Sequence, residues 1–325
     1  MKKLVSLIVV ALLFSLVAAF GVGAAKPLKV ALLLSGSIDD QGWNAAGYTG
    51  LMNLKKELDA EVAYAEKLVP SDYEEVYRGY ASQGFDLIIG HAFAFGEAAM
   101  KVAKDFPKIK FVMTSSNQFM APNVASLNND NLQAGFLAGV VAAYVTKTGI
   151  IGCVGAMEVP ACTFYSKGYE LGAQYINPKI KMLYAITGNF WDAAKAKETA
   201  LAMVNQRADV LTHLADKAGL GVIEAAKEKK IWAIGNVGDQ ASLAPNTVVT
   251  SVVVNMKRGF MTIAKMVAAG TLKPQAYNMG VEEEIVYLAP FGNFDTVLTA
   301  AEKTKIRQIL SDMETGKLNV WAMLK

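Results

Sequence analysis

The chain has 325 residues, 53% of them hydrophobic and 19% charged, which is too apolar for a disordered segment and long enough for two lobes. Its 32 Lys and Arg against 29 Asp and Glu leave a net charge of +3, and Lys2 and Lys3 sit at the extreme N-terminus, so the rest is nearly neutral and lacks the basic field of a nucleic-acid binder. Two His and two Cys are too few for a Cys/His zinc site of the usual spacing, and neither a metal nor a cofactor is expected.

Residues 1–25 combine Lys2 and Lys3, an uncharged run from Leu4 to Phe20, and small residues at Gly23, Ala24 and Ala25. That order is the one of a cleaved export signal, with a membrane anchor as the alternative, and in a two-membrane bacterium it implies the periplasm. No cysteine lies near the cleavage region for lipid attachment.

Strands are predicted at 29–35, 60–66, 86–90, 110–115 and 124–128, with helices over 41–58, 72–83 and 95–105 between them. A second series follows, with strands at 149–155, 181–187, 209–215 and 230–236, helices near 161–176, 192–206 and 219–229, and a further strand at 248–255. Regular strand–helix alternation implies parallel sheets covered on both faces. Two such series imply an α/β protein of two Rossmann-like, doubly wound parallel-sheet lobes joined by hinge strands. The expected division is 27–128 with 254–280 for one lobe and 129–253 with 281–325 for the other, with crossings near 128–130, 251–255 and 280. Ligands of open α/β sheets bind beyond the carboxyl ends of the strands, so two facing lobes make a cleft.

Catalytic signatures are missing from the mature chain: it has no GxSxG elbow, no GxxxxGK[ST] loop, no GxGxxG after a strand and no HExxH. No catalytic residue is assigned. The strand ends offer binding groups instead. After the first strand, SGSIDDQGWNAAGYTG (35–50) places Asp40, Trp43 and Asn44 at a helix start, where an aromatic face, an amide and free N–H groups can address a planar heterocycle; Asp40 can equally be an N-cap and Trp43 a core anchor. TGNFWDAAKAKE (187–198) offers Phe190 and Trp191, with Asp192 as a cap, and the two indoles could sandwich a ring between lobes.

Asp239 follows the last strand of the second series and can accept from sugar or base N–H and O–H groups; its alternative is a turn beside Gly238. Asp216, ahead of Gly219 and Gly221 at another helix start, can be a contact or a cap. His91 and Phe93, in GHAFAFG, lie at a strand end near the cleft, His91 as contact or structural residue, while His213 in DVLTHLA reads as buried. Phe95 and Phe164 can line a pocket or pack in the core. Cys153 and Cys162 can form a bridge or stand as small buried hydrophobes.

The segments DDQGWNAAGYTGL (39–51), GFLAGVVAAYVTKTGIIG (135–152), ADKAGLGVIEAAKEKKIWAIGNVGDQ (215–240) and LAPFG (288–292) resemble the basic membrane protein family of substrate-binding proteins for ABC transporters, the type I periplasmic binding proteins that include purine nucleoside receptors. The resemblance implies that Asp40, Trp43 and Asn44 face the base and Asp239 the ribose or base. Nucleoside-binding members have a lysine where this chain has Val254 and an aspartate where it has Val237. Members resembling free-adenine binders lack that lysine and carry a Trp in the first loop, so a purine base stands beside a nucleoside. The implied partners are that small molecule and an inner-membrane permease, the receptor itself being a monomer. Riboflavin or a sugar in the same cleft, or a nucleoside-acting enzyme, are the alternatives.

Overall fold

The computed structural model describes residues 26–294 and 296–324; the expected export signal at 1–25 lies outside the described residues. The first series runs β1 (Lys29–Leu33), α1 (Trp43–Leu58), β2 (Glu61–Ala65), α2 (Tyr73–Ser82), β3 (Leu87–Gly90), α3 (Gly96–Ala103), β4 (Lys110–Thr114) and β5 (Val124–Asn129). The second runs α4 (Asn131–Val145), β6 (Ile150–Gly155), α5 (Pro160–Ile176), β7 (Lys181–Ile186), α6 (Ala193–Asn205), β8 (Val210–Leu214), α7 (Gly219–Lys229), β9 (Trp232–Val237) and β10 (Val248–Val254). The chain closes with α8 (Met256–Ala268), β11 (Ala276–Met279), β12 (Val286–Leu288) and α9 (Ala300–Glu314).

The strands form two six-stranded sheets, ordered β11-β5-β4-β3-β1-β2 and β12-β10-β9-β8-β6-β7. The order of the first five strands of each lobe is the same, a doubly wound arrangement repeated within one chain. Every pairing is parallel except β12 on β10. Burial follows the strand period of two. On β1, Val30 and Leu32 pack with Leu51, Leu54, Phe260 and Ile263 on one face, while Ala31 and Leu33 pack with Tyr77, Phe95 and Val102 on the other. In the second lobe Ile151 and Cys153 face α4, α5 and α9, and Val154 faces α6 and α7.

Three segments connect the lobes. The chain leaves the first sheet after β5, returns from β10 into α8, and leaves again between β11 and β12. These segments are hydrogen-bonded to one another: Asp130 N donates to Met279 O at 2.9 Å, Asn255 N to Ile285 O at 2.7 Å, and Val281 N to Gln133 Oε1 at 2.8 Å.

Helix α4 is apolar all round, which a helix can be only when other elements cover most of it. It lies against α5 through paired glycines. A Cβ on Gly135 or Gly139 would stand 2.0–2.1 Å from the Tyr165 or Tyr169 carbonyl oxygen, and one on Gly168 or Gly172 at the same distance from those of Leu132 or Phe136. Only glycine lets two helix backbones approach this closely. The buried thiols of Cys153 and Cys162 are both free, and burial raises the pKa of each.

Candidate functional site

The carboxyl ends of the strands of both lobes face one seam. Non-glycine residues with positive φ occur along it: Gln41 (55°), Ser115 (52°), Asp216 (44°) and Val237 (69°). For β-branched Val237 that conformation is a true outlier, the kind of local strain that accompanies functional sites.

One half of the seam is sealed. Asp40 is 7% exposed and its carboxylate is saturated: Oδ1 accepts from Gly42 N and Ala45 N at 2.8 and 3.0 Å, and Oδ2 from Asn44 N and Nδ2 at 3.0 and 2.7 Å. Asn44 Oδ1 accepts from Gly36 N at 3.1 Å, so the pair braces the loop before α1. Trp43 is half-buried and stacks on His91 with ring centroids 4.3 Å apart and planes 6° from parallel. Its Nε1 donates to His91 O at 2.9 Å, and His91 Nε2 lies 2.8 Å from Trp43 O. Facing a carbonyl, Nε2 must carry the proton, which leaves Nδ1 to accept from the Thr114 hydroxyl at 3.1 Å. The ring is therefore a neutral structural group, and burial pushes its pKa down to about 4.

Across the seam, Gly42 lies against Asp216: a Cβ there would be 3.2 Å from the Asp216 Cα. Desolvation, and next the charge of Asp40, push the half-buried Asp216 carboxyl up to about 7, against the opposing effect of the Trp43 backbone N–H. Gln240 Nε2 donates to Gln41 O at 3.4 Å, and Gln240 Oε1 accepts from His213 Nε2 and Asn236 N, both at 3.0 Å. His213 is buried, its pKa pushed down to about 4 by desolvation, and its Nδ1 has no partner. Gly219 and Gly221 serve packing: Cβ atoms there would meet His213 at 2.1 Å and Ala193 O at 1.9 Å.

The other half of the seam holds a cavity of about 600 Å³. From the first lobe come Phe93, the loop 115–118 after β4, Asn128 and Asn129 at the end of β5, and Asn278 on β11; from the second come 159–161 and Phe164 at the start of α5, and Trp321. Asp130 and Asn131 lie between. The polar lining is a row of carboxamides. Asn128 Nδ2 donates to the side-chain oxygens of Asn117 and Asn278. That leaves Asn128 Oδ1 and the Asn117 and Asn278 Nδ2 groups without a hydrogen bond among the described residues. Asn129 Oδ1 is buried with no partner. No Lys or Arg lines the cavity, and its single carboxylate, Asp130, accepts from Gln133 N and from Trp321 Nε1 at 2.9 and 2.6 Å.

Of the residues expected from sequence, Phe93 lines the cavity and Asp40, Trp43, Asn44, His91 and Asp216 are gathered in the sealed half. Phe164 lines the cavity as well, Phe95 is buried in the first-lobe core, and Phe190, Trp191 and Asp239 are not among the lining residues. Asp192 caps α6 through Lys195 N at 3.0 Å. Phe190 packs on the core, Trp191 is 69% exposed, and neither Trp43 nor Trp191 lines the cavity. Asp239 is exposed and accepts from Ala241 N and Ser251 Oγ at 3.1 and 3.4 Å. The carboxamide row and Trp321 were not expected. The runs SSNQ (115–118) and NNDN (128–131), at the ends of predicted strands, are the signal that could have marked the former.

Two lobes of the same strand order, three crossings and a cavity between strand ends define a two-lobed solute-binding protein. The chain belongs to the family of PnrA-like ABC transporter substrate-binding proteins, which it matches over residues 28–316. It is 30% identical to a purine-binding protein of Brucella abortus over 93% of this chain and 87% of that one. It is 33% identical to the nucleoside-binding protein BmpA of a Lactococcus lactis ABC transporter, over 66% and 65% of the two chains. Among solved structures, a transcriptional activator of the comK gene from Bacillus halodurans superposes with a TM-score of 0.79 at 26% identity, covering 89% of this chain and 99% of that one. The family is one of solute-binding proteins that act outside the cytoplasmic membrane and hand small molecules to a permease. No helix among the described residues is long and apolar enough to cross a membrane.

Proposed function

We propose that this protein is exported, captures a neutral purine, as base or nucleoside, between its lobes and presents the closed form to the permease of an ABC importer. The observation that carries this reading is the cavity: aromatic rings of Phe93, Phe164 and Trp321 beside carboxamides with spare donors and acceptors, and no cation. A carboxamide can pair with both a ring nitrogen and an exocyclic amine of a purine, the bidentate contact by which Asn and Gln recognise adenine. The absence of Lys and Arg from the lining disfavours phosphorylated ligands. Relatives named for purine and nucleoside binding point the same way.

Trp43, stacked on His91, braces the frame beside this cavity without lining it, and Trp191 is an exposed indole of the second lobe that can approach the ligand on closure. Each stack contributes about 1–3 kcal/mol, whereas sub-micromolar affinity needs about 8 kcal/mol, so the carboxamides must supply the rest. Mass spectrometry of the small molecule released on denaturing the purified protein tests the reading, backed by thermal shifts with adenine, adenosine, guanosine and inosine. A released purine and a raised melting temperature are expected. A flavin or sugar in their place, with no shift from any purine, would refute it.

A further inference from the structure

Trp321 enters the cavity from a single turn, Trp321–Met323, that follows α9 and lies beyond the segment matched by the family, which ends at residue 316. Its neighbours Val320, Met323 and Leu324 belong to or pack on the core of the second lobe; the indole itself does not, and is 43% exposed. Core packing therefore does not account for where this ring stands. It lines the cavity, tilted against Phe164 with centroids 5.0 Å apart, and its Nε1 donates to Asp130 Oδ2.

Asp130 is the hinge residue between β5 and α4. Its Oδ1 caps α4 through Gln133 N, its own N–H donates to Met279 O, and Gln133 Oε1 in turn accepts from Val281 N in the third crossing. One indole thus lines the cavity and is bonded to the side chain of a residue whose own backbone N–H joins two of the three crossings. A ring against this indole presses on a group tied to the hinge.

The geometry points to Trp321 as a specificity-determining residue: its face is one wall against which the captured ring packs, and its N–H to Asp130 couples that wall to lobe closure. This rests on the reading that the cavity holds the ligand. The two roles separate by substitution. Trp321→Ala removes face and donor, whereas Trp321→Phe keeps a ring face and removes the donor.

The test is calorimetric titration of the full chain and both variants with adenine, adenosine, guanosine, inosine, riboflavin and ribose, with release rates by stopped flow. Trp321→Ala is expected to weaken the purine that the parent binds by about 10-fold, the size of one lost stack, and to change the ratio of base to nucleoside affinity. Trp321→Phe is expected to lose about 3-fold, as faster release. If the parent binds a purine and Trp321→Ala binds it within about 2-fold, the inference is overturned and the proposed function stands. If Trp321→Phe matches the parent in affinity and release, the coupling to the hinge is overturned; this variant also carries the test should the alanine protein fail to fold. If the parent binds only riboflavin or ribose, the purine reading falls and Trp321 is judged by the same ratio on that solute. Binding of none of the six overturns both.

Discussion

The two halves of the inter-lobe seam are built from different chemistry. In the sealed half the charged and aromatic groups satisfy one another: Asp40 holds four donors, and Trp43 and His91 exchange two hydrogen bonds across a stack. In the open half the polar groups are neutral carboxamides that keep unused donors and acceptors, beside rings partly exposed to the cavity. Residue types that look most like a binding site can thus be the ones that brace the frame. The groups left with something to bond are plainer. In the function proposed above, the sealed half sets the position and the open half provides the contacts.

The largest effect should come from breaking the brace. His91→Ala leaves a cavity, removes a second donor to the Trp43 carbonyl and strands the Thr114 hydroxyl, and should cost about 3 kcal/mol of stability, read as a lowered unfolding midpoint in denaturant. Gly47→Ala drives a Cβ to 2.5 Å from the His91 ring and should destabilise by about 2 kcal/mol. A midpoint unchanged by both would show that the Trp43–His91 stack does not brace the seam.

In the open half, Asn128→Ala removes the carboxamide that joins Asn117 to Asn278 and one spare acceptor of the row. Purine affinity should fall about 10-fold in a calorimetric titration while stability changes by less than about 1 kcal/mol. Affinity preserved within about 2-fold would place the ligand elsewhere.

A pH series sharpens the contrast further. Burial, and next the charge of Asp40 across the seam, push Asp216 up from 3.8 to about 7, and opening of the seam is expected to return it toward 3.8, so between those values the closed form holds a proton that the open form releases. Closure, and with it affinity, should weaken as pH rises through that window and level off above about 7. His91 and His213, pushed down from 6.5 to about 4, act in the opposite sense on folding: their contribution is complete above 6.5 and is lost as pH falls toward 4. Asp216→Asn should therefore remove the loss of affinity between about pH 5.5 and pH 8 and leave the acid limb of stability unchanged. A variant that keeps the parent's slope would contradict the role given to Asp216. The smallest effect is expected at Trp191, where alanine should leave stability within about 0.5 kcal/mol and weaken purine binding by about 3-fold at most.

The alternating lobes were legible because strand and helix periods are local, and helices such as α7 fall where the pattern puts them. Helix α4 shows no amphipathic period to read, since α5, the sheet and α9 cover it on several sides. Strands β11 and β12 are short pieces fixed by the lobes they join. At the site, sequence placed Asp40, Trp43 and Asn44 correctly at the start of α1, yet which of their valences remain open depends on Gly36, His91 and Asp216, brought in from other elements. Asn128, Asn117 and Asn278 meet only once β4, β5 and β11 are side by side. Trp321 had no local signal at all.

The most direct test of the central claim is a titration of the purified, ligand-free protein with adenosine and with AMP under the same conditions. A cavity of carboxamides and rings without a cation should bind the uncharged nucleoside at least about 10-fold more tightly than its phosphate. Equal or tighter binding of AMP, or no binding of either adenosine or adenine, would contradict the account.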